Sequence, residues 1–298
     1  MKNFLLFALM ISGFATIAQS ITQEDRAKAN TYFVAADWQN VVLSYQAIAR
    51  QEPQNANARM RAGIGLLNQT KTQAAIKQLE EATALGPNPM TFFYLATAYA
   101  QANQKEKCVT AMDKALTNGF SALVLFETDA NLAKLKSTPE LEQIHQRLLQ
   151  GIYPCKYSKE ARQFDFWIGE WDVKSTTGQQ AGNSSVQLML GDCVIYENWT
   201  SAKPQIYSGK SFNLYNAATG KWMQTWVDDK GAVLEFNDGE YKDNKLVFVT
   251  KPDAKNQITR LTFFNMEPNL VRQLFEVTND DGKTWATTTD LYYNRILK

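Results

Sequence analysis

Two hydrophobic periods divide this chain. Between residues 21 and 150, apolar positions recur at helical spacing, as in "WQNVVLSYQAIARQEP" (38–53), where Val42, Tyr45 and Ile48 share a face. From residue 155 onward the period changes to alternation, in short runs rich in Val, Thr, Trp, Tyr and Phe, separated by "NAATG", "DDKG", "KDN" and "NDDGK". The pattern predicts α and β structure in separate domains: an N-terminal α-helical repeat, then an antiparallel β-barrel of about ten strands. The boundaries are 21–150 for the repeat, 151–162 for a linker and 163–298 for the barrel.

The helical half repeats itself. Pro53 and Pro87 occupy the same place in two copies: "WQNVVLSYQAIARQEP" overlays "TQAAIKQLEEATALGP" (72–87), which aligns Val42 with Ile76, Tyr45 with Leu79 and Ile48 with Ala82. A third copy, "KEKCVTAMDKALTNGF" (105–120), arrives one residue early, with Val109, Met112 and Ala115 in those slots. In the preceding helices Gly63 and Leu66 match Ala96 and Tyr99; small residues there let one helix backbone approach the next. This resembles the tetratricopeptide repeat, a stack of two-helix hairpins with a roughly 34-residue period. The reading is three hairpins plus a cap, "STPELEQIHQRLLQ" (137–150), with Ser137 and Glu140 at capping-box spacing and Leu141, Ile144 and Leu148 on one face. The resemblance implies a concave face that docks a protein or peptide, with candidate groove residues Arg26, Asn30, Met60, Ile64, Phe93 and Thr97. The alternative is that these helices only pack against the second domain.

In the second half, Gly169-x-Trp171 opens the first strand and "YYNR", ending in Arg295, closes the last. That combination resembles the lipocalin and fatty-acid-binding-protein superfamily, which implies that Trp171 stacks with Arg295 at the closed end of the barrel and that Gly169, Trp171 and Arg295 are structural. "FDFWIGEWDV" (164–173), "WMQTW" (222–226), "VRQ" (271–273) and "DDGKTW" together also resemble an uncharacterised family of bacterial secreted domains with a lipocalin-like fold. "TNDDGKTW" (278–285) fits an Asp-box hairpin, with Asp280 capping turn amides and Gly282 at positive φ.

If Trp171 points inward, alternation groups Ile195, Glu197 and Trp199 on one face of the third strand and Trp222, Gln224 and Trp226 on one face of the fifth. The ninth strand turns inward either Arg272 with Leu274 or Val271 with Gln273 and Phe275. The candidate ligand residues are therefore Trp167, Glu197, Trp199, Gln224, Trp226 and Arg272, an aromatic pocket with a small polar centre. The opposing reading is a packed barrel, with these tryptophans as core.

The N-terminal run "MKNFLLFALMISGFATIAQS" has one Lys, an apolar stretch and small residues at Ala18 and Ser20, which predicts a signal peptide over 1–20 and an exported, periplasmic or secreted protein. No later segment is apolar enough to cross a bilayer. Export permits disulfides, and three cysteines leave one free: Cys155 pairs with Cys193, and Cys108 sits on a small-residue position of a repeat helix.

A net charge of +1 argues against a nucleic-acid surface. The single histidine, His145, lies outside the barrel segment, which excludes a Ser-His-Asp triad, a His/Cys zinc site and a His-ligated haem there. No cofactor or metal is expected. Carboxylate chemistry through Glu197 or Asp165 survives as an enzymatic alternative, with Arg272 as anion anchor. The principal expectation is an exported binding protein whose barrel holds a small, partly apolar ligand and whose repeats dock a protein.

Overall fold

A computed structural model of the chain describes residues 20–297, so the signal-peptide expectation lies outside the described residues, Ser20 apart. The chain divides into two compact units between Leu148 and Leu149. Among the described residues no helix is long and apolar enough to cross a membrane.

The first unit is built from helical hairpins: α1 (Gln23–Val34) with α2 (Trp38–Gln51), α3 (Ala56–Asn68) with α4 (Thr72–Leu85), and α5 (Pro89–Gln101) with α6 (Lys105–Thr117). Short polar residues start several of them. Thr22 and Asp25 form a reciprocal capping box on α1, Asn55 accepts from the Ala58 amide on α3, and Asn88 caps α5 ahead of Pro89. The apolar slots read from the repeat are interior except Val109, which is half-buried: Val42, Tyr45 and Ile48, Ile76, Leu79 and Ala82, then Met112 and Ala115. Gly63 permits the α3–α4 crossing, since a Cβ there would lie 2.6 Å from Leu79 Cγ.

Past the third hairpin the chain forms α7 (Leu123–Thr128), a 3-10 turn at Leu132–Lys134 and α8 (Pro139–Ile152). Leu141, Ile144 and Leu148 are buried on one face of α8, as the pattern predicts. The helix starts one residue later than the Ser137–Glu140 spacing predicts, because Pro139, which has no amide to lose, takes the first helical position. The segment expected to be a linker, 151–162, holds the end of α8 and then α9 (Pro154–Tyr157).

The second unit is a closed up-and-down barrel: β1 (Gly169–Ser175), β2 (Gln180–Met189), β3 (Val194–Ser201), β4 (Ser208–Asn216), β5 (Lys221–Asp228), β6 (Val233–Lys242), β7 (Lys245–Val249), β8 (Ile258–Glu267), β9 (Leu270–Thr278) and β10 (Ala286–Arg295). Each strand pairs with its sequence neighbours, and β1 pairs with β10 to close the sheet, from Trp171 opposite Arg295 to Ser175 opposite Leu291. Closure leaves no free sheet edge.

One end is plugged by the residues that precede β1. Phe166 and Trp167 belong to a 3-10 turn at Asp165–Trp167, just ahead of β1. Gly169 then turns the chain at φ 149°, outside the range most side chains adopt. Phe164 and Trp167 stack at 4.9 Å between ring centroids and are enclosed with Trp171, Trp222, Phe248 and Phe263. Trp171 donates from Nε1 to the Trp167 carbonyl at 2.9 Å. The disulfide Cys155–Cys193 ties the start of this segment to the β2–β3 turn, and Arg162 donates to the neighbouring Asp192 carbonyl at 2.5 Å. The closed end is therefore both packed and cross-linked.

Candidate functional site

The other half of the barrel is hollow. A cavity of about 620 Å³ opens between the β1–β2 turn, the β3–β4 loop with its cis Lys203–Pro204 bond, and the inner faces of β3, β5, β9 and β10. That volume falls within the roughly 300–1,000 Å³ typical of small-molecule sites. Trp199, Trp226, Phe275 and Leu291 supply apolar wall, while Glu197, Gln224, Gln273 and Tyr293 supply the polar part.

Glycines support the tryptophan walls. A Cβ on Gly209 of β4 would lie 2.1 Å from Trp226 Cζ2, so the indole rests directly on main chain. A Cβ on Gly182 of β2 would meet Trp199 at 2.7 Å. The rings reach their places because the neighbouring strand has no side chain there.

The polar part is one connected network. Glu197 is buried and accepts from Ser184 Oγ at 2.9 Å and from Ser211 Oγ at 3.0 Å. Ser211 in turn accepts from Asn213 Nδ2 at 2.9 Å, and Asn213 Oδ1 accepts from Gln224 Nε2 at 2.7 Å. Tyr293 Oη lies 3.3 Å from Glu197 Oε1 and 3.2 Å from Gln273 Oε1. A hydroxyl has one proton, so it satisfies one of these acceptors; the other contact requires a proton on Glu197 or a turned Gln273 amide. Burial pushes the Glu197 carboxyl up to about 7, against the opposing effect of the three hydroxyls. Burial and the Glu197 charge push the Tyr293 phenol well above its ordinary value, so it stays neutral.

Two amide atoms of this network lack a partner. Gln224 Oε1 and Gln273 Nε2 have no hydrogen-bond partner among the described residues, although both side chains are more than nine-tenths buried. No Lys or Arg among the described residues forms an ion pair with Glu197.

The structure places the sequence candidates unevenly. Glu197, Trp199, Gln224 and Trp226 line the cavity together. Trp167 does not: it lies in the plug among Phe164, Phe263 and Tyr293, and its buried indole N–H has no partner among the described residues. Arg272 points outward. It forms a two-pronged pair with Asp290 at 2.8 Å through each prong and lies over Phe264 and Tyr292, because β9 turns Val271, Gln273 and Phe275 inward. An Arg272 anion anchor facing Glu197 is thereby removed. Cys155 and Cys193 are joined, and Cys108 is buried with its thiol pushed up to about 12 by burial.

Gly169, Trp171 and Arg295 come together at the closed end. The Arg295 guanidinium carbon is 4.2 Å from the Trp171 ring centroid, and a Cβ on Gly169 would sit 2.2 Å from Arg295 Nη1. The hairpin at 278–285 is a turn device: Asp280 accepts from the Thr284 amide at 2.9 Å, Gly282 has φ 85°, and Trp285 lies under Arg260.

Of the groove candidates, Ile64, Phe93 and Thr97 are interior. Phe93 stacks on Phe120 at 4.8 Å, and the 3-10 turn at Leu132–Lys134 packs on α5, so this part of the inner-helix surface is covered by the chain itself. Arg26 pairs with Glu52, Asn30 accepts from Arg61 at 2.7 Å, and Met60 is half-buried.

Sequence reasoning missed Ser184, Ser211, Asn213 and Tyr293 and left Gln273 open. Tyr293 was within reach: an inward Arg295 fixes the phase of β10, which turns Tyr293 and Leu291 inward, and the β9–β10 register then selects Gln273.

No family profile matches the chain, and no curated protein matches it significantly. Among solved structures it is similar to the TPR2B domain of yeast Sti1 in complex with pHsp70, at 22% identity over 43% of this chain and 95% of that one, with a TM-score of 0.32. It is also similar to MamA, at 17% identity over 41% of this chain and 73% of that one, with a TM-score of 0.36. A MamA double mutant gives 18%, 45%, 76% and 0.37 for the same measures. Scores this low carry no argument from those proteins to this chain; the hairpin repeat is read from its own helices.

Proposed function

We propose that this chain is an exported binding protein, in which a lipocalin-like barrel carries a small, partly apolar ligand and the helical repeats dock a protein or peptide. The observation that supports the carrier reading is the cavity of about 620 Å³ with aromatic walls above a buried polar network. A barrel serving only as packing would fill that volume, because voids cost stability in proportion to their size. Gln224 Oε1 and Gln273 Nε2 add to the case, since both belong to side chains that line the cavity and have no protein partner, so a ligand can bond to them.

The docking reading rests on the hairpin architecture and on apolar side chains left in solvent on the helical unit, Val34, Leu43 and Val124. Export rests on the N-terminal run and agrees with a disulfide in the second unit.

The test is native mass spectrometry of the protein purified from an exporting host, set beside its denatured mass. A small non-covalent adduct supports the carrier reading; a clean mass, with no thermal shift across a broad small-molecule panel, sinks it. The denatured mass also reads the mature N-terminus. A chain starting just after Ala18 or Ser20 supports export, and one retaining Met1 refutes it.

A further inference from the structure

We propose that the barrel cavity takes an organic cation: an amine whose protonated nitrogen sits on the Glu197 carboxylate and whose apolar body lies against Trp199, Trp226 and Phe275. This inference rests on the carrier reading and narrows it to one ligand class.

Charge is the first argument. Glu197 lines the cavity, is buried, and has only hydroxyl partners: Ser184, Ser211 and Tyr293. Among the lining side chains the one ordinary cation is Lys203, which is exposed in the β3–β4 loop and forms no ion pair with Glu197. A buried carboxylate without a counter-charge is costly, and a cation entering from outside relieves that cost. An anionic head would instead meet like charge with nothing to offset it.

Hydrogen-bond inventory is the second. The polar lining offers the Glu197 carboxylate, Gln224 Oε1 and Gln273 Oε1 as acceptors, beside the amide N–H groups of Gln224 and Gln273. An ammonium brings three donors and a charge, so it can bond the carboxylate and an amide oxygen together. An alcohol brings one donor and no charge.

The walls are the third. Trp199 and Trp226 present indole rings, and aromatic faces attract cations at short range. The same rings, with Phe275 and Leu291, give an apolar body somewhere to lie out of water.

Matched trios separate this inference from the carrier reading. The full chain is titrated by calorimetry with 2-phenylethylamine, tryptamine and octylamine, each beside the alcohol and the carboxylate of the same body. At least one amine should bind about tenfold or more tighter than its alcohol, the worth of one charge-assisted hydrogen bond, while the carboxylates fail to bind. Glu197→Gln, checked for cooperative unfolding, should bring amine and alcohol to within about twofold of each other. The wild-type series decides the matter even where that variant does not fold. An alcohol or carboxylate binding as tightly as its amine overturns the cation inference and leaves the carrier reading standing. Failure of every trio, together with a clean native mass, overturns both.

Discussion

Arg295, in the last strand, lies across the indole of Trp171, in the first, with its guanidinium carbon 4.2 Å from the ring centroid. The same guanidinium donates to the carbonyls of Ile168, at 2.5 Å, and Phe166, at 3.1 Å, so one side chain joins the seam of the barrel to the plug. Arg295→Ala removes a cation–π contact and leaves carbonyls unpaired, with an expected loss of about 2–4 kcal/mol. Urea unfolding followed by tryptophan fluorescence measures it. Arg295→Lys should recover little, because an ammonium lacks the planar fork that spans two carbonyls.

Glu197 gives stability a pH dependence of unusual sign. Its carboxyl titrates near 7 in the folded chain against 4.5 ordinarily, so the folded state holds the proton more tightly than the unfolded one. Its contribution is therefore neutral below about pH 4.5, becomes destabilising as pH rises from there through 7, and is complete above 7 at on the order of 3 kcal/mol. Melting temperatures of wild type and Glu197→Gln, taken from pH 4 to pH 8.5, should separate up to about pH 7 and keep a constant gap above it. Curves parallel over the whole range would mean that the carboxyl is more hydrated than the structure indicates.

Gly209 makes room for the Trp226 wall by having no side chain. A methyl there would lie 2.1 Å from Trp226, so Gly209→Val must displace the indole. The expected result is a loss of about 1–3 kcal/mol and a changed near-ultraviolet circular dichroism spectrum. An unchanged spectrum would show that Trp226 rests elsewhere in solution.

The cysteines make a labelling prediction. Unfolded without reductant, the chain should take up one alkyl group, at Cys108; folded, it should take up label far more slowly, since that thiol is buried. The disulfide spans 38 residues, so Cys155→Ser with Cys193→Ser should destabilise the second unit by about 3–4 kcal/mol on a chain-entropy basis.

In the helical unit, Phe93→Ala tests interior against groove. Fully enclosed and stacked on Phe120, Phe93 should cost about 3–5 kcal/mol when truncated, read by far-ultraviolet thermal unfolding. A cost near zero would return it to an exposed face.

How much of this was legible in the sequence depends on whether the two faces of an element differ. In β3 the alternation of Ile195, Glu197 and Trp199 with Tyr196 and Asn198 fixes the inward face, and all three inward residues are found there. In β9 both Val271 and Leu274 are buried although they point to opposite faces, so hydropathy alone could not place Arg272. Ser184, Ser211 and Asn213 are small polar residues that look like ordinary surface; they become visible only once the neighbouring strand brings Glu197 between them. Phe93 and Thr97 were misplaced for a related reason. The repeat pattern describes a hairpin by itself, whereas Phe93 is covered by Phe120, which stands where the first two copies have proline, and α5 by the turn at Leu132–Lys134, which lies past the last copy.

The closed ladder of strands also sets an order of events. Every pairing in the barrel joins strands adjacent in sequence except β1 with β10, so all but one can form by local hairpin closure. The pairing between the two ends of the sheet spans the longest stretch of chain and so carries the largest loop-closure cost, which makes Trp171 opposite Arg295 the latch of the finished ring.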